Sequence, residues 1–248
     1  MYKHSGKIAL ITGANRGIGF EIARQLAENG VRVLLTSRNR EAVVEAAQKL
    51  QSLGLEVEAY TLDVTQKQSI VAAFKEIKSK YSHIDILINN AGIRIEKYGK
   101  QPSKQTVQQW RKTFETNLFG VVEVTTAFLP LIRKSSAGRI VNVSSLLASL
   151  TMHSDPNSYI YSPMFKSLPA YSASKSAVNS WTVHLAYELR DTSIKVNAVH
   201  PGYTKTDMNE GEGIFDIATG AKTSVKMALL ANDGPNGSYL HMDEILPW

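Results

Sequence analysis

Cysteine is absent from all 248 residues. Disulfides, thiolate catalysis and zinc–cysteine sites are thereby excluded, and no metal site is expected. The absence fits a reducing compartment. Long apolar runs are missing too. No stretch reaches the roughly 18 uninterrupted apolar residues of a membrane span. The longest, Leu118 to Ile132, is broken by Glu123, threonines and Pro130. The opening run Ile8-Ala9-Leu10-Ile11 is too short for a secretory signal. A cytoplasmic protein without a membrane partner is the expectation. Net charge is +6, but the lysines and arginines are scattered, with no dense run and no helical stripe. Nucleic acid is therefore not an expected partner, whereas an anionic cofactor suits a modest basic excess. No Pro/Gly/Ser-rich linker divides the chain, and no solenoid repeat is visible.

What is present is an ordinary globular composition, 43% hydrophobic and 20% charged. Strand-like runs alternate with helical patterns. The strands are expected at Lys7–Thr12, Val31–Thr36, Glu56–Leu62, Ile84–Ile88, Arg139–Val143, Ile194–Val199 and near Ser238–His241. Helices are expected at Ile18–Asn29, Arg40–Leu53, Gln66–Tyr81, Val107–Ile132 (one long region) and Ala170–Arg190. Strands without polar alternation, each followed by a helix, indicate a parallel sheet covered on both faces. The expectation is a single α/β domain over residues 1–248: a doubly wound, Rossmann-type parallel sheet of about seven strands.

The first strand ends in Thr12-Gly13-Ala14-Asn15-Arg16-Gly17-Ile18-Gly19. Glycines there permit a tight turn and close approach of a pyrophosphate to a helix N-terminus. An acid at the end of the second strand would bind the ribose hydroxyls of NAD(H). This chain instead has Thr36-Ser37-Arg38. Arg38 can pair with a 2′-phosphate, and Arg16 is a second candidate. NADP(H) is expected in preference to NAD(H).

Tyr171 and Lys175 stand four residues apart, one helical turn. A cation beside a phenol stabilises the phenolate, so the Tyr171 pKa is expected below its ordinary value of about 10. Such a tyrosine exchanges a proton with a carbonyl oxygen or an alcohol. Chance alone supplies about one such pair in a chain this long, so the weight rests on the surrounding motifs.

Four of these occur in order: the glycine loop, Asn89-Asn90-Ala91-Gly92 after strand four, the Tyr171/Lys175 pair, and Pro201-Gly202 after strand six. Together they resemble the classical short-chain dehydrogenase/reductases over essentially the whole chain. Leu35-Thr36-Ser37-Arg38, Thr116-Asn117-Leu118-Phe119-Gly120 and the ending through Gly220-Ala221 and Leu229-Leu230 to Trp248 are similar to the NADPH-dependent carbonyl reductases. The resemblance implies roles for particular residues. Asp63, with Val64, would position the adenine. Asn90, Ala91 and Gly92 would shape the loop beside the adenosine ribose. Asn117 would hold a water leading to Lys175, which would bind the nicotinamide ribose. Pro201, Gly202, Thr204 and Thr206 would hold the nicotinamide amide and the phosphates. Ser145 would bond the substrate oxygen, and Tyr171 would be the acid/base. A carbonyl would then be reduced by hydride from NADPH and a proton from Tyr171, resupplied through Asn117, water and Lys175.

Ser145 stands 26 residues before Tyr171, about twice the family's usual spacing. Ser158 stands 13 before it but sits in the turn-like Asp155-Pro156-Asn157-Ser158. Ser145 ends a strand and is preferred; so, over its neighbour Ser144, it is the expected catalytic serine. The extra length makes 146–169 an enlarged substrate-side loop. Met152, Tyr159, Tyr161, Met164 and Phe165 in it either line an apolar pocket or pack beneath the loop. A second mobile wall is expected at 205–222, with Gly211, Gly213 and Gly220 as hinges. The loop lies where family members pair, which leaves monomer or homo-oligomer open. The function implied is NADPH-dependent reduction of a ketone, aldehyde or quinone. The alternatives are the same site oxidising a sugar, terpenoid or steroid-like alcohol, and a non-catalytic NADP(H) sensor.

Overall fold

The computed structural model describes residues 4–248. The strands carry apolar residues at successive positions, so both of their faces must be covered. Alternate residues of β1 (Ile8–Ile11) show this. Ala9 and Ile11 enter one core, while Ile8 and Leu10 enter the other. The first core packs α1 (Gly17–Glu28), α2 (Arg40–Gln51) and α9 (Ile217–Ala228) on the sheet. The second packs α3 (Lys67–Lys80), α5 (Gly120–Ile132) and α8 (Pro169–Glu188) on the opposite face.

The remaining strands are β2 (Arg32–Ser37), β3 (Val57–Thr61), β4 (Ile86–Asn89), β5 (Arg139–Val143), β6 (Lys195–Val199), β7 (Tyr239–His241) and β8 (Glu244–Ile245). Their order is β3-β2-β1-β4-β5-β6-β7-β8. Every pairing is parallel except β7 with β8. The order reverses between β1 and β4, and a ligand crevice forms outside the carboxyl ends of strands at such a switch point.

Three features differ from the sequence expectation, beside one short addition to the sheet. The sheet expected with about seven strands has eight among the described residues; the eighth, two-residue β8, is too short to show a period and folds back at Met242, whose φ is 53°. The long helix over 107–132 is α4 (Val107–Phe114) and α5 joined by a π-turn, Glu115–Phe119, that carries Asn117. Loop 146–169 contains two short helices, α6 (Leu150–Ser154) and α7 (Pro163–Lys166). The second wall ends at 216, not 222. Asp216 caps α9 by accepting from the Thr219 N–H at 2.7 Å. Gly220 therefore lies inside a helix, packed on Thr204, and is not a hinge. Gly211 and Gly213 do take left-handed φ values, 84° and 151°.

Candidate active site

A cavity of about 550 Å³ opens at the carboxyl edge of the sheet. Every expected site residue lines it except Asn117, which is fully buried behind it. At one end the β1–α1 loop turns through Gly13 (φ 63°) and Gly17 (φ 58°). Asn90 binds this loop from below: its Nδ2 donates to the carbonyls of Thr12 (2.9 Å) and Gly13 (3.0 Å). A Cβ on Gly19 would fall 2.4 Å from Asn90 Nδ2, whereas one on Gly17 would meet nothing. So Gly19 closes the loop on Asn90, and Gly17 leaves its outer face open. No side chain caps α1 and its first turn has no acid. Its unclaimed N–H groups and positive dipole end therefore face the cavity. That is the donor set a dinucleotide pyrophosphate requires, and the residues present fit such a cofactor.

Asp63 Oδ1 accepts from Thr65 N–H and Oγ1, which fixes the turn after β3. Arg38 is exposed at the end of β2 and has no hydrogen bond or ion pair among the described residues. Arg16 is engaged. It reaches across the cleft to Asp207 at 2.8 Å, both side chains being largely exposed. A solvated pair of this kind is worth about 0–1 kcal/mol and yields readily to a stronger anion.

At the inner end, the Tyr171 phenol and the Ser145 hydroxyl line the cavity side by side. Ser145 Oγ accepts from Leu147 N–H at 3.3 Å. Ser144 turns away, donating to Asn179 Oδ1, and Ser158 is not among the lining residues. Lys175 Nζ donates to the Val143 carbonyl at 2.7 Å and lies 5.9 Å from the Tyr171 ring centroid. Both Asn117 side-chain N–H groups are used: one donates to the Ile93 carbonyl, the other to Ser174 Oγ. Its Oδ1 accepts from Ile93 N–H, so this side chain pins the chain leaving β4.

One electrostatic expectation is overturned. The Tyr171 pKa is raised, not lowered, because burial penalises the phenolate; the Ser145 hydroxyl and the Arg94 charge oppose this without reversing it. Lys175 aims at a strand-end carbonyl, and burial pushes its own pKa down to about 8.

The chain's sequence matches the short chain dehydrogenase family model over residues 7–214. This chain belongs to the short-chain dehydrogenases. As such it is an oxidoreductase of CH–OH and C=O groups, drawing on a nicotinamide dinucleotide and a small-molecule substrate. It is 37% identical to the short-chain dehydrogenase anuI of Penicillium roqueforti over 89% of this chain and 88% of that one. It is 33% identical to (-)-isopiperitenone reductase of Mentha piperita, over 97% and 98%. The solved structure of salutaridine reductase from Papaver somniferum superposes with a TM-score of 0.81, at 29% identity, over 94% of this chain and 99% of that one.

Several groups in this short-chain dehydrogenase carry no sequence signal of their own. Arg94 lies over the Tyr98 ring at 4.4 Å and donates to the carbonyls of Met208 and Glu96, tying the chain after β4 to the second wall. Glu96 is buried and its carboxylate accepts from the N–H groups of Ala170 and Tyr171, both at 2.8 Å. It caps α8 from another segment, since Leu168 at the cap position has no acceptor. Neither residue follows a periodic pattern; the available hint was a charged pair close behind Asn89-Asn90-Ala91-Gly92. His200, immediately before Pro201, also lines the cavity. Of the five loop residues singled out, Tyr159 and Phe165 line the cavity. Met152 and Met164 pack beneath the loop, and Tyr161 is half exposed against Lys166. Among the described residues no helix is long and apolar enough to cross a membrane.

Proposed function

We propose that this enzyme reduces a ketone, aldehyde or quinone to the alcohol with NADPH, Tyr171 being the proton donor. One observation carries the reading: the buried Tyr171 phenol stands beside Ser145 at the cavity's inner end, with the Lys175 ammonium 5.9 Å from its ring centroid. Burial favours the protonated phenol, the form that donates to a carbonyl oxygen. Ser145 Oγ, beside it, holds the substrate oxygen and lowers the barrier by stabilising the charge that develops there. Lys175 holds the nicotinamide ribose and replenishes the Tyr171 proton. Both Asn117 side-chain N–H groups are used, so its part in a relay to Lys175 runs through one of its carbonyl oxygens and a water. When bound, the reduced nicotinamide supplies the hydride.

The glycine loop from Gly13 through Asn15, Ile18 and Gly19 would receive the pyrophosphate. Asp63 and Val64 would flank the adenine, and Asn90, Ala91 and Gly92 the adenosine ribose. Pro201, Gly202, Thr204 and Thr206 would meet the nicotinamide end. Preference for NADP(H) rests on Arg38, unpartnered where an acid would favour NAD(H), and on Arg16, which can exchange Asp207 for a 2′-phosphate. The inner wall is built from Leu147, Ile160, Phe165, Leu168, Tyr203 and Met208. It suits a bulky apolar or aromatic carbonyl compound. Likeness to the reductases of salutaridine and isopiperitenone supports the reductive reading and puts both compounds in the test panel.

The test is NADPH oxidation with isatin, quinones, aromatic aldehydes, simple ketones and those two compounds. Tyr171→Phe should lower kcat by about 100-fold or more with NADPH binding retained. Turnover unchanged in that variant would sink the assignment, and a flat response across the panel would remove carbonyl reduction.

A further inference from the structure

The peptide unit joining Ser145 to Leu146 is held at both of its polar atoms by side chains. Tyr239 Oη donates to the Ser145 carbonyl at 2.5 Å, and the Leu146 N–H donates to His200 Nδ1 at 3.1 Å. These partners lie 94 and 54 residues further along the chain. Each is itself fixed. The fully buried Tyr239 ring stacks on Trp248, centroids 5.6 Å apart. His200 is buried against His241, whose Nδ1–H donates to the His200 carbonyl at 2.9 Å. Because Nδ1 of His200 accepts, its proton sits on Nε2. Burial beside His241 keeps the ring neutral and the acceptor available.

A peptide is planar. Fixing both its C=O and its N–H sets where the Ser145 Cα and Cβ stand, and the Leu147 N–H, bonded to Ser145 Oγ, then selects the rotamer. We infer that Tyr239 and His200 are positioning residues for the reaction, clamping the Ser145–Leu146 peptide so that Ser145 Oγ meets the substrate oxygen beside Tyr171. The inference rests on the roles proposed above for Ser145 and Tyr171.

Tyr239→Phe removes the hydroxyl and keeps the ring. With NADPH and isatin, kcat should fall about tenfold, since a displacement well under 1 Å at a reacting group costs that much. The dissociation constant of NADPH should stay within about twofold. The pH profile adds a readout that lost packing would not move. Tyr171 feels Ser145, Arg94 and Tyr98, with Lys175, Tyr239 and the Glu96 carboxylate also close. Of these the Ser145 hydroxyl and the Arg94 charge lower its pKa, and only Ser145 is held by the clamp, so a loosened Ser145 should shift the basic limb of kcat to higher pH. Trp248→Leu loosens the stack but keeps the hydroxyl, so both effects should be several-fold smaller than in Tyr239→Phe. Wild-type kcat and limb in Tyr239→Phe would overturn the inference. So would equal losses in both variants, which would mean packing alone. Tyr171→Phe separates the layers: if it stays active, the site assignment fails; if it is dead while Tyr239→Phe is normal, only the clamp fails. Should isatin not turn over, hydrogen exchange across residues 143–148 decides the same question. Faster exchange at Leu146 in Tyr239→Phe alone supports the clamp, and unchanged exchange refutes it.

Discussion

Gly19→Ala adds one methyl group where the glycine loop has no room for it. The new Cβ would lie 2.4 Å from Asn90 Nδ2, 2.5 Å from the Gly13 carbonyl oxygen and 3.1 Å from Ala14 Cα. Asn90 can swing aside, but it then releases the carbonyls of Thr12 and Gly13, its two acceptors. The Gly13 oxygen belongs to the backbone and cannot rotate away. Losing two hydrogen bonds at about 1 kcal/mol each, with strain added, gives about 3 kcal/mol. Against this, alanine is favoured over glycine in a helix by about 1 kcal/mol. The net loss is about 2 kcal/mol, or about 4–8 °C in thermal midpoint for a chain of this size. NADPH affinity should fall at least tenfold, because the displaced loop carries the unclaimed N–H groups of α1. Circular-dichroism melting and fluorescence titration with NADPH measure the two effects. Asn90→Ala should cost a similar amount, and the double variant should cost less than the sum, since both changes act on the same two bonds. Wild-type melting and NADPH affinity in Gly19→Ala would refute the reasoning.

Other perturbations have equally definite signs. Arg38→Asp should lower the ratio of kcat/KM for NADPH over NADH by about tenfold or more, read in parallel assays with the two cofactors; an unchanged ratio removes Arg38 from cofactor choice. Lys175→Met should abolish turnover yet stabilise the fold at pH 7. Burial lowers the Lys175 pKa from 10.5 to about 8, so the unfolded chain binds more protons in that window and stability rises with pH across it. Below that window the buried charge carries its full penalty, and methionine relieves up to about 3 kcal/mol of it, less the lost Val143 bond; the gap should close towards pH 10.5 in melts run against pH. His200→Asn should flatten the acid side of the stability profile. Burial, with His241 nearby, pushes the His200 pKa from 6.5 down to about 3, so the parent loses stability as pH falls through that range and the variant should not.

The buried strands were legible because their chemistry is one-dimensional: an apolar run such as Ile140-Val141-Asn142-Val143 with a helix behind it admits few alternatives. The glycine loop and the Tyr171/Lys175 spacing were legible for the same reason. Helix α9 is not legible in the sequence because Gly220 and several polar residues blur its period, although Gly220 is there to admit the Thr204 side chain. The raised Tyr171 pKa is not legible because a four-residue spacing says that Lys175 is near, not that the phenol is buried or that the ammonium bonds Val143. Glu96 capping α8 and Arg94 bridging to Met208 are contacts between distant segments. No local pattern encodes them.

The hydrogen bond between Tyr239 and Ser145 also has a place in the life of the chain. A ribosome adding about 5–20 residues per second takes about 5–20 s to make the 94 residues that separate the two. For that interval the nascent chain holds the glycine loop, β1 to β5 and the serine, but not the strand that fastens it. The Tyr239–Ser145 bond thus closes well after β5 has been made. On the roles proposed above, a product stopped before β7 keeps the glycine loop but lacks the Tyr239 hydroxyl, and should bind NADPH with slowed turnover.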